Sequence, residues 1–344
     1  MPVYHGHFFA LFPGAAPVNG MLYLIHHSFG SLSMASHCHA LAIINGKNAG
    51  NELLRQAIND LRDAGYRLEV RLTWESSDTG RYLQEALQLG ASTVIAGGGD
   101  GTINQIVNQL AGLDPERRPA LGILPLGTAN DFATSVGIPD DLASALHLAV
   151  TAPVTPVDII CVNHEHYFIN MATGGFGPRI TSQTPAKLKA ALGGVSYLLH
   201  GLSQVDTLKA DHFTLSCEDF NWQGDALVVG IGNGRQAGGG QRLCPGALID
   251  DGLMDISIIT AREWLPTLMH TLTRDDENPN IIRTRSKTVE IHAEHEMTFN
   301  LDGEPLSGNR FTMSLIPQAI PCRLPATCPL LSEPSRHSTA DGVG

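Results

Sequence analysis

The sequence predicts an α/β domain followed by a second domain built mainly of β-strands. From about residue 40, short apolar strands alternate with amphipathic helices, which is the pattern of a parallel sheet covered by helices. Beyond about residue 153, short β-rich runs separated by Asn and Gly turn signals replace that alternation. The chain has 344 residues, of which 43 % are apolar and 16 % are charged. This composition excludes a disordered chain, and the length leaves room for two cores.

The first domain is predicted over residues 34–155, and local signals mark its elements. Gly65 and Gly90 each follow a predicted helix, as glycine commonly follows a helix end. Four apolar side chains recur at helical spacing in the first helix: Leu53, Leu54, Ile58 and Leu61. The predicted strands are 41–45, 66–73, 93–96 and 121–124, and the predicted helices are 51–64, 78–89 and 102–110.

The second domain is predicted over residues 156–322 and is rich in β-strands. Pro153 and Pro156 flank a dipeptide near the boundary, which we place within 152–156 because proline interrupts regular structure there. Turn signals such as Asn-His and Asp-Gly separate the strands. The predicted strands are 157–162, 167–171, 213–217, 227–233, 254–260, 289–293, 297–301 and 310–316.

The two ends of the chain differ in composition from the rest. Residues 1–33 contain no Asp, Glu, Lys or Arg, and the first charged residue is Lys47. We expect this segment to lie outside the two predicted domains, with Met34 as an alternative start. Residues 332–344 are polar and lack periodicity, so we expect a disordered tail.

The charge, the cysteines and the apolar runs exclude several classes of protein. No run of about 20 apolar residues is present, and residues 1–33 lack the positive start of a signal peptide. The six cysteines form no Cys-x-x-Cys pair, which favours reduced thiols over a zinc site. The net charge of −12 argues against a nucleic-acid partner. We therefore expect a cytoplasmic protein without a transmembrane segment.

A glycine-rich motif, Gly97-Gly98-Gly99-Asp100-Gly101-Thr102, lies between a predicted strand and a predicted helix. Glycines let the backbone approach an anion closely, and a helix N-terminus offers free N–H groups to phosphate. The motif is neither a Walker A loop nor Gly-x-Gly-x-x-Gly, and it lacks the lysine of the former. It predicts a phosphate-binding loop, and the alternative is a tight strand–helix turn with Thr102 as N-cap.

A second loop, Leu124-Pro125-Leu126-Gly127-Thr128-Ala129-Asn130-Asp131, also follows a strand and precedes a helix. Both loops are therefore predicted at the carboxyl ends of parallel strands, where ligands bind in such folds. Thr128 can hydrogen-bond a phosphate or a ribose. Asn130 and Asp131 can cap the helix or hold groups in the cleft, and a simple capped turn remains the alternative.

Two acidic turns follow in the β-rich part. Residues 246–255 place three aspartates around one turn, and their oxygens suit Mg²⁺ or Ca²⁺. Residues 300–305 place Asp302 and Glu304 two apart after a strand, and a kinase needs such a carboxylate to accept a proton. Each turn could equally be a solvated hairpin.

The order of the four motifs, GGGDGT, LPLGTAND, DDGLMD and LDGE, resembles that of the diacylglycerol kinase catalytic superfamily. The match is closest to its bacterial YegS-like lipid kinases and runs from about residue 34 to residue 331. GGGDGT is shared with sphingosine kinases and NAD kinases, whereas LPLGTAND and LDGE narrow the resemblance to lipid kinases. The resemblance implies a phosphofructokinase-like α/β domain and a C-terminal β-sandwich, with the active-site cleft between them. It also implies that the end of the chain returns to the first domain.

The resemblance also implies roles for individual residues. Glu304 matches the proton acceptor, while Asp100 is in addition a candidate for organising the Mg²⁺ of bound ATP. The structural Mg²⁺ site matches Leu248, Asp251 and Leu253, with the leucines acting through main-chain oxygens. The ATP contacts match Thr73, Gly99, Asp100, Gly101, Thr102, Ile103, Asn104, Gln105 and Thr128.

The function implied is transfer of the γ-phosphate of ATP to a lipid hydroxyl, with Mg²⁺ and with Ca²⁺ as an alternative ion. The acceptor would be phosphatidylglycerol or a diacylglycerol-like lipid in phospholipid metabolism, met transiently at the inner face of the membrane. A basic amphipathic stretch at 178–205 is a candidate for that contact, or else an ordinary packed helix. The alternative functions are a kinase of a soluble acceptor, as in NAD kinases, and a catalytically silent nucleotide- or lipid-binding regulator.

Overall fold

A parallel sheet forms the first part of the fold. In the computed structural model, which describes residues 38–175, 210–260 and 281–332, strands β1 (His39–Asn45), β2 (Arg67–Thr73), β3 (Thr93–Gly98) and β4 (Ala120–Pro125) are parallel. Their order is β4-β3-β1-β2. The strands β1, β3 and β4 are almost wholly buried, as expected where helices cover both faces of a sheet.

The helices of this part are α1 (Glu52–Asp63), α2 (Ser77–Gln88), α3 (Asp100–Ala111), α4 (Asp131–Ser135) and α5 (Leu142–Thr151). Helix α1 begins where the Asn51 side chain accepts a hydrogen bond from the amide of Leu54, which is a regular N-cap. It buries Leu54, Ile58 and Leu61, but Leu53 is 70 % exposed. The predicted apolar face of this helix is therefore narrower than its sequence suggests.

The remaining strands are mostly antiparallel and enclose a separate cluster of apolar side chains. Phe299 and Phe311 meet edge to face in this cluster, with ring centroids 4.7 Å apart. The strands are β5 (Val154–Val162), β6 (His166–Phe168), β7 (Met171–Gly174), β8 (Asp211–Ser216), β9 (Asn221–Gly232), β10 (Gln236–Ala237), β11 (Gln241–Arg242), β12 (Met254–Thr260), β13 (Ile281–Ser286), β14 (Thr288–Leu301) and β15 (Glu304–Arg323).

Strand β15 joins the β-rich part to the parallel sheet. It pairs antiparallel with β14 and with β5. Near its end, Cys322 pairs in parallel with Leu121 of β4. The α/β half and the β-rich half therefore share a continuous sheet, which agrees with the predicted fold class.

Several strand predictions needed correction. The run 167–171 is not one strand, because β6 ends at Phe168 and β7 begins at Met171. The runs 289–293 and 297–301 belong to a single strand, β14, whose register with β15 shifts between His292 and Met297. A β-bulge of this kind interrupts the alternation of side chains without ending the strand.

Three predicted segments lie outside the described residues. They are the uncharged segment 1–33, the predicted tail at 332–344 apart from Ser332, and the amphipathic stretch 178–205. Within the described residues, no helix is long and apolar enough to cross a membrane.

Candidate active site

The two loops singled out in the sequence lie side by side at one edge of the parallel sheet. The glycine-rich motif links β3 to α3, and residues 126–130 link β4 to α4. Strand β1 has β2 on one side and β3 on the other, so the connections diverge next to β3. The carboxyl ends of strands at such a divergence are the usual ligand site of an open α/β sheet.

Gly99 and Gly127 let the two loops touch backbone to backbone. A Cβ atom added to Gly99 would lie 3.2 Å from Cα of Gly127, and one added to Gly127 would overlap Gly99. Asn130 closes the second loop, because its side chain accepts from the amide of Gly127 at 2.9 Å and donates to the Gly127 carbonyl at 3.1 Å. Asn130 therefore shapes the loop, and its side chain makes no hydrogen bond that caps α4, which was one of its two predicted roles.

Asp100 joins the glycine-rich loop to the start of α4. Its two carboxylate oxygens accept hydrogen bonds from the amides of Asp131 (3.1 Å) and Phe132 (3.0 Å). Burial raises the pKa of Asp100, and the nearby Asp131 raises it further, while the amide hydrogen bonds oppose both effects. Both carboxylate oxygens of Asp100 already accept hydrogen bonds from these amides. This favours a role for Asp100 in shaping the loops over a role in organising a metal ion.

Asp131 extends this connection into the β-rich half. Its buried carboxylate accepts hydrogen bonds from the amides of Gly239 (2.9 Å) and Gly240 (2.7 Å), at the tip of the β10–β11 hairpin. The side-chain amide of Gln236 also donates to the Asp131 carbonyl. The motif at 124–131 did not indicate this partner, since the two segments are more than 100 residues apart in the sequence.

The residues implied as ATP contacts occupy different environments. Ile103 is packed in the apolar core and Thr102 is buried, so Ile103 can contact a ligand only through its main chain. The side-chain amide of Asn104 donates to the carbonyl of Tyr167 at 2.9 Å. Thr128 is exposed on the second loop.

Thr73 and Gln105 line one cavity of about 340 Å³ at the ends of β1 and β2. Lys47 and Trp74 line the same cavity. Neither residue belongs to a motif, so the sequence did not indicate either of them. Their positions just after two predicted parallel strands could have indicated them, because ligands bind at the carboxyl ends of such strands.

Glu304 comes from the β-rich half and meets the first turn of α3. A Cβ atom added to Gly101 would lie 3.5 Å from Oε1 of Glu304, an ordinary contact distance, so this carboxylate lies directly beside the glycine-rich loop. Gly303, at φ 107°, makes the turn that precedes Glu304. Glu304 itself is exposed to solvent. An exposed carboxylate therefore lies beside the phosphate-type loop.

Asp302, the neighbouring residue of the same turn, is buried and holds the turn in place. Its carboxylate accepts hydrogen bonds from three successive amides, those of Ile169 (2.8 Å), Asn170 (3.2 Å) and Met171 (2.7 Å). Burial raises its pKa to about 6, against the opposing effect of these amides. The same contacts explain the break between β6 and β7, because these amides turn toward Asp302.

The acidic turn at 248–253 forms a second, separate cluster. One oxygen of Asp251 accepts from the amide of Leu253 at 3.1 Å, and the other pairs with Arg285. Arg285 also pairs with Asp255 at 3.0 Å. Among the described residues, no hydrogen bond or ion pair joins this turn to Glu304 or to the glycine-rich loop.

The donors at this turn suit a hard cation. Asp251 and the main-chain oxygens of Leu248 and Leu253 are all oxygen ligands, which Mg²⁺ and Ca²⁺ prefer. The described residues contain no group of three or more His, Cys, Asp or Glu side chains that could hold a metal. A cation here would therefore depend on main-chain oxygens and would share Asp251 with Arg285.

Family models match most of the chain. Residues 39–162 match the diacylglycerol kinase catalytic domain, and residues 173–323 match the YegS C-terminal NAD kinase beta sandwich-like domain. A solved structure of a candidate diacylglycerol kinase from Bacillus anthracis str. Sterne is similar, with a TM-score of 0.74 and 26 % identity. The similarity covers 87 % of this chain and 99 % of that one. The α/β half thus has the catalytic fold of diacylglycerol kinases, and the β-rich half is the β-sandwich that accompanies it.

Relatives narrow this class further. The "Probable lipid kinase YegS-like" of Enterobacter sp. (strain 638) is 62 % identical over 298 residues, which is 87 % of this chain and all of that protein. The "Probable lipid kinase YegS" of Salmonella typhimurium is 59 % identical over the same shares of both chains. The chain belongs to the YegS-like family of kinases.

Proposed function

We propose that this protein is an ATP-dependent lipid kinase that transfers the γ-phosphate of ATP to a lipid hydroxyl. The observation that carries the proposal is the position of Glu304 against the first turn of α3. A hydroxyl beside this carboxylate would face a nucleotide held by the glycine-rich loop. The names of the two relatives reported above, "Probable lipid kinase YegS-like" and "Probable lipid kinase YegS", support a lipid as the acceptor.

Glu304 acts as the proton acceptor in this proposal. The hydroxyl oxygen of the acceptor attacks the γ-phosphorus, and its proton passes to the Glu304 carboxylate. The bond from the γ-phosphorus to the bridging oxygen breaks, and ADP leaves. The amides at Gly99 and Gly101, at the N-terminus of α3, stabilise the negative charge of the phosphates.

The other ATP contacts divide between the two loops and the cavity. Of the run from Gly99 to Gln105, the main chain at its start holds the phosphates, because the amides of Thr102 and Ile103 already donate to the Gly99 carbonyl. Thr128 lies on the facing loop. Thr73 contacts the nucleoside from the end of β2. Asp100 keeps the two loops together through its hydrogen bonds to Asp131 and Phe132.

A structural Mg²⁺ would be held by Asp251 and the main-chain oxygens of Leu248 and Leu253, with Ca²⁺ as the alternative. Such an ion supplies positive charge that neutralises the acidic turn. Arg285 already contributes part of that charge through its ion pairs with Asp251 and Asp255. Loss of the ion should therefore weaken the turn and leave Glu304 in place.

The acceptor is expected to be phosphatidylglycerol or a diacylglycerol-like lipid, which would place the protein in phospholipid metabolism at the cytoplasmic membrane surface. A soluble acceptor, as in NAD kinases, is less well supported, because the relatives are named lipid kinases. A silent regulator is disfavoured because the sequence retains both Glu304 and Asp251.

The test is transfer of labelled phosphate from ATP to a panel of acceptors. The panel contains phosphatidylglycerol, diacylglycerol and NAD, each assayed with Mg²⁺ and with Ca²⁺. We expect labelling of at least one lipid and none of NAD. Labelling of NAD alone would overturn the lipid assignment, and no labelling of any acceptor would overturn the kinase assignment.

A further inference from the structure

Trp74 is the most exposed large apolar side chain among the described residues, with 94 % of its surface accessible. It follows Thr73 at the carboxyl end of β2 and lines the cavity shared with Gln105. An indole exposes a wide apolar face, and surface tryptophans are enriched where that face meets a partner. Its position in a cavity that Gln105 of α3 also lines makes Trp74 a candidate contact for a bound ligand.

The main chain that carries Trp74 is held firmly. The buried Asp78 accepts hydrogen bonds from the amide of Trp74 at 2.7 Å and from that of Glu75 at 3.3 Å. On the preceding side, the Tyr82 hydroxyl donates to the carbonyl of Leu72 at 3.1 Å. The indole is thus presented by a fixed loop, and fixing it in advance lowers the entropy lost when a ligand stacks on it.

We propose that Trp74 stacks on the purine base of the nucleotide substrate, so that the kinase selects its nucleotide by the aromatic area of the base. The inference rests on the proposed function, which requires a nucleoside beside the glycine-rich loop. A cavity of about 340 Å³ is of small-molecule size and lies at the ends of β1 and β2. Lys47 adds a positive charge to its lining, which suits an anionic nucleotide.

A lipid bilayer is the competing partner for an exposed tryptophan. Trp74, however, belongs to the lining of a cavity, and the other lining residues include Asn45, Glu75 and Ser76. Polar and acidic neighbours oppose insertion among anionic lipids, and the net charge of −12 adds to the repulsion. These observations favour a nucleotide base.

The first test is the steady-state kinetics of two variants at the same position. Because stacking of a base on an aromatic side chain contributes to binding, Trp74→Ala should raise the KM for ATP about tenfold and change kcat little. Trp74→Phe should recover most of the affinity. The preference for ATP over CTP should fall in Trp74→Ala. A pyrimidine base has a smaller aromatic area than a purine base, so its binding depends less on stacking against the indole.

The second test measures binding without any lipid. ADP should quench the tryptophan fluorescence of the wild-type protein, and Trp74→Phe should abolish that quenching while the other two tryptophans remain. Leu53→Ala is the matched control, since Leu53 is 70 % exposed on α1 and does not line the cavity. It should leave quenching and KM unchanged.

Two results would overturn the inference. An unchanged KM for ATP in Trp74→Ala would exclude stacking. Loss of binding to vesicles of phosphatidylglycerol and phosphatidylcholine by Trp74→Ala, with ADP quenching intact in Trp74→Phe, would assign Trp74 to the bilayer. Because ADP binding needs no acceptor, a protein that binds ADP through Trp74 but phosphorylates no lipid would support stacking and refute only the lipid assignment.

Discussion

At the scale of a single residue, the buried carboxylate of Asp302 lowers the free energy of unfolding once it ionises. The carboxylate is buried among amides, and burial raises its pKa to about 6 from 3.8. Between these values the folded protein binds more protons than the unfolded chain, so stability falls as the pH rises through this window. The ionised Asp302 in turn holds three amides and fixes the turn that carries Glu304.

The raised pKa of Asp302 predicts that the difference in stability between the wild-type protein and Asp302→Asn depends on pH. The free energy of unfolding of the wild type, minus that of the variant, should fall by about 2 kcal/mol between pH 4 and pH 6, by about 3 kcal/mol over the whole titration, and level off above about pH 7. Denaturant titrations at a series of pH values measure it. A difference that rises with pH over this range would show that the pKa of Asp302 is lowered, contrary to our account.

The sequence indicated Glu304 but not what positions it. The turn LDGE is a short motif and can be read directly. The partners of Asp302 lie at 169–171, more than 130 residues away, and no local pattern connects them. Trp74 and Lys47 were missed for a related reason, because the cavity they line exists only when β1 and β2 are side by side.

At the scale of elements, the central feature is the contact between the two loops that follow β3 and β4. Their strand–helix contexts could be predicted, since apolar runs and glycines mark strand ends clearly. Their mutual contact could not, because it depends on the parallel pairing of β3 and β4. Helix α4 also departs from the prediction, since Asp100 from the other loop caps its first turn in place of Asn130.

Gly127→Ala tests this contact. A Cβ atom at Gly127 would overlap Gly99 and lie 2.7 Å from Oδ1 of Asn130, so we expect a loss of about 1–3 kcal/mol in stability and weakened ADP binding. Gly50→Ala is the control, because a Cβ atom there has no neighbour within 4 Å. Thermal unfolding and ADP titration measure the two effects. Equal behaviour of the two variants would mean that the loops do not touch as described.

At the scale of the whole molecule, β15 and the buried aspartates connect the two halves of the chain. β15 pairs with β14, β5 and β4, and Asp131 binds the hairpin of the β-rich half. The order of an α/β part and a β-rich part was predicted correctly from the change in pattern near residue 153. The length of the strand that joins the two halves was not predicted, because β15 extends beyond the predicted run 310–316 to Arg323.

The shared strand predicts cooperative unfolding. Because β15 cannot leave one half without unpairing from the other, we expect a single thermal transition for the whole protein. Far-ultraviolet circular dichroism and near-ultraviolet circular dichroism should give coincident curves. Two resolved transitions would show that the halves unfold independently.

Glu304 is the residue proposed to accept the proton of the acceptor hydroxyl. The most direct measurement is phosphate transfer to phosphatidylglycerol by Glu304→Gln, with Glu165→Gln as the control at an exposed position away from the loops. We predict that Glu304→Gln lowers kcat at least about 100-fold while ADP binding stays unchanged, because glutamine keeps the shape of the side chain but cannot accept a proton. Full activity of Glu304→Gln would show that the carboxylate of Glu304 is not the proton acceptor.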